Sequence, residues 1–290
     1  MMHQLALPPI SLTAFDVLWR DWCKETGQRV LPMPVVLDCP SPGSTPARRA
    51  NVERWAREEL WRAGYLEDRD TVHRVLAALA APDIEINLRW EGGSPGRAIA
   101  VRRQQLPLVA RQAWHTVDGP AGLAVVPKIQ FCWGEPTDLA ADLVDLVPRR
   151  QAARVPGREQ SMRLRSLHAA RRQLTGDTAN PGSAMRCALR AVGENDSVSR
   201  TFGDLAAAPC LGRGEFGVAV RTPDGVRRCG PIVLVHDTAK GRYLVTNRSD
   251  WITVRGADTT SLLAWLATEL AEVTGRLTGS NHVSHCDDRR

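Results

Sequence analysis

The sequence predicts an α+β fold in which one order of elements occurs twice. In each half of the 290-residue chain, stretches with apolar residues at helical spacing give way to short alternating stretches, separated by Gly, Pro and Asp turns. Each half then closes on an amphipathic helix. The two closing helices carry matching apolar trios, Leu139, Leu143 and Val147 against Leu262, Leu266 and Leu270, 123 residues apart (262 less 139). Gly134 and Gly256 mark the exits from the last strands of the two meanders. An internal duplication is therefore expected, with an N-terminal half over 1–150, a C-terminal half over 151–277 and a flexible tail over 278–290.

The elements follow in order. "ISLTAFDVLWRDW" reads as a brief strand and then a helix, with Leu12, Phe15, Leu18, Trp19 and Trp22 at helical spacing. The prolines of "VLPMPVVLD" forbid helix and leave an extended segment. Ser44 or Thr45 caps the next helix, Pro46 occupies its first turn and Gly64 stops it. Val52, Trp55, Ala56 and Leu60 form its expected inner stripe, and Val72, Val75, Leu76 and Leu79 that of the helix after it. "IEINLRW" alternates strictly, so it is a half-buried strand, and "EGGSPG" turns it into "RAIAVRR". Strands "LPLVARQAWHTV" and "GLAVVPKIQFCW" flank the turn "DGPAG", and "PTDLAADLVDLV" closes the half as a helix. A basic linker from Pro148 to Gly157 leads to three expected helices, "REQSMRLRSLHAARRQL", "PGSAMRCALRAV" and "SRTFGDLAAAP". Strands return at "EFGVAVRT", "GPIVLVHD", "GRYLVTN" and "DWITVRG", before the final helix "DTTSLLAWLATELAEV".

Composition is that of an ordinary globular chain, with 43% hydrophobic and 24% charged residues. No apolar run is long enough for a membrane span, and the start lacks the parts of a signal peptide, so a cytoplasmic protein is expected. Seven cysteines at irregular spacing, with no C-x-x-C pair, argue for reduced thiols over disulfides or structural zinc. His282, His285 and Cys286 cluster in "HVSHC", read as a polar terminus before a metal site. The net charge of +6 comes almost wholly from arginine, since only Lys24, Lys128 and Lys240 are lysines. Arginine excess beside abundant Ala, Gly and Pro suggests a GC-rich genome, and basicity alone names no ligand.

Several catalytic look-alikes fail on context. Gly212, Gly214 and Gly217 in "LGRGEFGVAVR" imitate a kinase phosphate loop. Too little chain follows for a kinase body, and no V-A-I-K, H-R-D or D-F-G element comes after it. A dinucleotide loop needs a helix next, whereas a strand follows, so the glycines are read as permitting a turn into that strand. Ser94 in "GGSPG" sits between two strands, not on a strand-to-helix elbow, so a hairpin tip is the better reading. His115 and His236 are read as turn histidines at strand ends, and no metal or cofactor motif emerges. Eight arginines and one acidic residue in "RRQAARVPGREQSMRLRSLHAARR" offer a phosphate-binding surface, but no aromatic is there to stack a base.

Four stretches, "ISLTAFDVLW", "GRGEFGVAVR", "VHDTAKGRYLV" and "WITVRGADTTSLLAWL", resemble the EspG family, cytosolic proteins associated with ESX (type VII) secretion. The resemblance runs from about Leu12 to Val273. It implies a pseudo-two-fold fold, a central antiparallel sheet flanked by helical bundles. The implied activity is ATP-independent chaperoning without cofactor or catalytic residues. Mycobacterial members bind the apolar tip of the PPE subunit in a PE–PPE heterodimer, keep it soluble in the cytosol and set which ESX system exports it. A homodimer of the cargo-free protein fits the same picture. In the family the cargo tip docks between the sheet and the C-terminal helical bundle. That points to Trp114 on the sheet and Met162, Met185, Leu189 and Phe202 on the helices as partner-binding candidates. Methionine suits adaptable grooves and tryptophan suits hot spots, while core packing is the competing reading of each. Two other classes stand beside this reading: a nucleic-acid-binding regulator acting through residues 149–172, and a hydrolase acting through Ser94.

Overall fold

The computed structural model of the chain describes residues 5–27, 45–92, 96–119, 122–133, 138–174, 180–222, 225 and 227–279. Strands β1 (Leu5–Ala6) and β2 (Ile10–Ser11) precede helix α1 (Leu12–Glu25). The Ser11 side chain caps α1 by accepting from Ala14 N. Glu59 fixes that cap from the next helix, accepting from Ser11 N at 2.7 Å and from its hydroxyl at 2.6 Å. Helix α2 (Pro46–Arg62) starts at Thr45, one of the two expected caps, and Gly64 follows its end at φ +77°. Ala56 and Leu60 are buried there, whereas Trp55 is 66% exposed, which corrects the expected stripe. Ala56 and Leu60 join the core that α1 and α3 form with the sheet, while the Trp55 side of α2 faces water. Helix α3 (Arg69–Ala80) buries all four expected residues. The extended segment expected around Pro32–Asp38 lies outside the described residues.

Strands β3 (Ile84–Glu91), β4 (Gly96–Arg103), β5 (Leu106–Gly119) and β6 (Gly122–Trp133) form an antiparallel meander, with β1 and β2 against the outer side of β6. Helix α4 (Leu139–Val144) closes it. The second half opens with an unexpected strand, β7 (Glu159–Arg163), where a helix from Arg158 was predicted. Glu159, Ser161 and Arg163 face water and Met162 is buried, so these residues alternate and complete the edge of the sheet beside β12 (Trp251–Gly256). Ladder hydrogen bonds there outweigh helix propensity, a weak prior that tertiary pairing overrides. Helices α5 (Leu164–Gln173), α6 (Pro181–Ala191) and α7 (Asp196–Ala207) follow. Then come β8 (Cys210–Arg221), the short β9 (Arg227–Cys229), β10 (Val233–Thr238), β11 (Gly241–Arg248), β12 and helix α8 (Thr259–Gly279).

The two meanders meet at β3 and β8, paired antiparallel from Ile84↔Val220 to Glu91↔Arg213. One sheet results, in the order β1-β6-β5-β4-β3-β8-β10-β11-β12-β7. Three cores divide its faces by strand alternation. Ala98 and Ala100 of β4 join Leu88, Phe216 and Leu244 under α4 and α8. Ile99 and Val101, pointing the other way, pack under α1–α3. Tyr243 and Val245 of β11 likewise pack under α5–α7. Two three-helix groups therefore share one face and the closing helices hold the other.

The glycines of β8 are explained by this pairing. Gly212, Gly214 and Gly217 lie inside the strand, and none has a positive φ, which replaces the expected turn. A Cβ on Gly212 or Gly214 would come within 2.6 Å of the Trp90 ring, and one on Gly217 within 2.8 Å of the Asn87 amide. The glycine pattern is thus a bed for the cross-strand neighbours, Trp90 above all, which is 4% exposed. Gly214→Val is expected to destabilise by about 1–3 kcal/mol through overpacking, read as a lowered urea midpoint. An unchanged midpoint would show the indole free to move.

The linker after α4 is pinned down. Arg242 N donates to Gln151 O at 2.8 Å, and Ala153 N donates to Arg242 O at 3.0 Å. Gly256 lets this segment cross, since a Cβ there would strike Ala153 O.

Candidate functional site

On the face shared by the two helix groups, the centre of the sheet is left uncovered. A cleft of about 480 Å³ opens there, lined by Arg89 and Glu91 of β3, Arg213 and Glu215 of β8, Leu234 and His236 of β10, Val245 of β11 and Leu205 of α7. Strand alternation aims these sheet residues at the cleft, because their sequence neighbours Trp90, Phe216, Val233 and Val235 fill the opposite core. The wall is set by the way α6 and α7 cross. Asn195 caps α7 by accepting from Val198 N, and Gly182 and Gly203 let the two helices meet almost backbone to backbone.

Charge in the floor is internally balanced. Glu91 accepts from Arg213 Nε at 2.6 Å and faces Arg89 Nη2 at 2.9 Å. The Arg213 hydrogen bond, with Arg89 beside it, holds the Glu91 carboxyl below the usual carboxylate range, and Glu91 in turn raises Arg213. The His236 imidazole is held below its ordinary value, chiefly by burial and further by Arg213, while Asp237 opposes both. Its Nδ1 lies 3.8 Å from Cys210 Sγ, and its Nε2 has no hydrogen-bond partner among the described residues. Against this neutral floor stand exposed apolar groups: Leu234 at 43% and, at the outer end of β8, Leu211 at 46%.

A second feature adjoins the sheet. Pairing of β4 with β5 ends at Gly96↔Ala113, yet β5 and β6 continue to pair from Trp114↔Pro127 to Gly119↔Gly122. Among the described residues this stretch is a two-stranded ribbon, an arrangement marginal by itself in water.

The partner-binding candidates are distributed unevenly. Trp114 is the first residue of the ribbon, and its side chain lies outside the described residues. Met162, Leu189 and Phe202 are 1%, 0% and 6% exposed and pack together beneath α5–α7, as core. Met185 is half-buried at the margin of that core. Leu205, Leu234 and Leu211 were missed. The available signal was an apolar residue at the polar phase of a strand, as Leu234 is between Val233 and Val235. Ser94 and the His282, His285 and Cys286 cluster lie outside the described residues, as does the side chain of His115. Among the described residues, no group of three or more His, Cys, Asp or Glu could hold a metal ion, and no helix is long and apolar enough to cross a membrane.

Comparison with known proteins supplies the family. The EspG family model matches residues 11–268. The chain belongs to the EspG family. Among solved structures, this EspG-family chain matches the type VII secretion system chaperone EspG5 of Mycobacterium tuberculosis, determined in complex with a PE25–PPE41 dimer. The match has a TM-score of 0.63 at 14% identity and covers 92% of this chain and 96% of that one, so the EspG fold is shared. Two other M. tuberculosis structures, a PpsC dehydratase domain variant and a double-hotdog protein, reach TM-scores of only 0.14 and 0.12, at 12% and 11% identity. They cover 64% and 89% of this chain, and 82% and 95% of their own, and carry no argument. No curated protein matches the sequence.

Proposed function

We propose that this EspG-family member is an ATP-independent cytoplasmic chaperone of a type VII secretion system. It holds a helical substrate of the PE–PPE kind by its apolar tip, in the cleft between the sheet and α7, keeps it soluble and directs it to its secretion system. The observation that carries the reading is the cleft itself, with Leu205, Leu234 and Val245 set around a charge-balanced floor on an EspG5-like fold. At about 480 Å³ it has the size of a ligand pocket, so only the end of a helical pair enters while α7 flanks it.

The energetics suit capture and release. Covering an apolar tip gains roughly 25 cal/mol per Å², less the cost of association. Glu91 is already shared by Arg89 and Arg213, so an apolar tip that expels water there leaves that carboxylate paired. No bond-making step is required. Met162, Leu189 and Phe202 act from beneath, holding α7 at the height that shapes the wall. An internal duplication is part of this proposal, as the origin of the two helix groups on one face of the sheet.

Co-expression with PE–PPE-type helical pairs from the same genome is expected to yield a soluble complex of one chaperone per pair, read by size-exclusion chromatography with light scattering. If every such pair elutes apart from the chaperone, the proposal fails.

A further inference from the structure

Away from the cleft, α5 presents a surface of one sign. At about 100° per residue, Arg165, His168 and Arg172 fall within a stripe about 60° wide, diametrically opposite buried Ala170. All three are exposed, and Arg171 flanks them. The helix "LRSLHAARRQ" contains no acidic residue, so none of its arginines has an i,i+4 partner. Arg163, just before the stripe, is engaged: it meets Asp250 at 3.5 Å and stacks 4.3 Å from the Trp251 ring. Among the described residues, Arg165 and Arg172 have no carboxylate within ion-pair reach.

Local rules are broken at the start of this helix. Arg163 stands at the N-cap and forms no side-chain capping bond, and Arg165 sits in the first turn. Both positions favour acidic or short polar residues, because the helix N-terminus carries partial positive charge. Arg163 is compensated by Asp250 and Trp251, whereas Arg165 has no such compensation, and an uncompensated departure of that kind marks a surface kept for another purpose.

We infer that the exposed face of α5 is a docking surface for an acidic helical segment of another protein. The stripe spans about 10.5 Å along one helix, and its i, i+3, i+7 spacing matches carboxylates at comparable spacing on a helix laid against it. Nucleic acid fits less well. From Arg149 to Leu174 there is no Phe, Tyr or Trp on which a base could stack, and the surface is one convex helix, not a groove. This inference does not depend on the cleft reading and is tested with different ligands.

The probe is a fluorescein-labelled, alanine-based helical peptide with glutamates repeated at i, i+4 and i+7, compared with the same peptide carrying glutamines. The full chain is expected to bind the glutamate peptide, more weakly as salt rises. Arg165→Gln with Arg172→Gln is expected to weaken binding about ten-fold, as two charged contacts are lost. Arg172→Glu alone should act in the same direction. The pair Arg48→Gln and Arg69→Gln removes equal charge from other exposed helix starts and should leave binding unchanged. The inference is overturned if the wild-type chain does not bind the glutamate peptide, if the glutamine peptide binds equally, or if both double variants behave alike. It is also overturned if duplex DNA or phosphatidylglycerol vesicles bind more tightly than the glutamate peptide.

Discussion

Arg242→Met is expected to destabilise the protein by about 3–5 kcal/mol, the range for breaking a buried ion pair from one side. The Arg242 side chain is 0% exposed and that of Asp237 is 2%. Arg242 Nε donates to Asp237 Oδ1 at 2.7 Å, and its Nη2 donates to Asp237 Oδ2 at 2.9 Å and to Pro148 O at 2.5 Å. The guanidinium also lies 5.9 Å from the Trp90 ring centroid. Methionine fills much of the volume, so the loss falls on Asp237, left desolvated with only Arg150 at 3.9 Å, itself 44% exposed. The linker loses its Pro148 anchor at the same time. Urea denaturation should show a lower midpoint at unchanged slope. The double variant Arg242→Met with Asp237→Leu should recover most of the loss, because an apolar pair of similar volume removes the orphaned charge. A double variant as unstable as the single one would instead assign the effect to packing.

That pair shows where reading the sequence stops. Periodicity placed the helices and most strands, because each element buries one face and the apolar spacing records which. Partners across space leave no such record. Arg242 and Asp237 share the phase of buried Val233, Val235 and Leu244, but the apolar runs beside them hide that period, and only the arrival of the linker makes their burial intelligible. Gly212 and Gly214 mislead for the same reason: their cause is Trp90, 122 residues earlier for Gly212 (212 less 90), on a strand that pairs with theirs. Strand β7 was hidden because five residues ahead of a true helix have too little pattern to oppose the helical stretch that follows. Trp55 was assigned inward on hydrophobicity, although the register of α2 puts it outside.

The candidate site divides along the same line. Of the groove candidates, Met162, Leu189 and Phe202 lie in the core beneath α5–α7, because amphipathic helices bury such residues in their own bundle first. What remains toward the cleft is the apolar residue out of phase with its strand, Leu234, and the partly buried one at the end of its helix, Leu205. Their exposure depends on the gap between two helix groups, a tertiary property.

Leu205→Asp combined with Leu234→Asp is expected to weaken binding of a PE–PPE-type helical pair by more than a hundred-fold, with some loss of stability from Leu205, which is partly buried against the α5–α7 core. Each leucine buried by a partner is worth about 1.5–3 kcal/mol, and a carboxylate in its place must be desolvated in a cleft whose Arg89 and Arg213 are already engaged by Glu91. Leu234 is 43% exposed in the free chain, so its replacement opens no cavity. Isothermal titration against the pair reads the affinity, and thermal unfolding checks the fold. Phe202→Ala provides the contrast. At 6% exposure it is expected to cost about 3–5 kcal/mol of stability, with affinity falling only as α7 loosens. If the double leucine variant binds like the wild type while Phe202→Ala does not, the tip does not enter this cleft. The contact surface would then lie on the β5–β6 ribbon, where Trp114 begins and where the same measurement on Trp114→Ala would locate it.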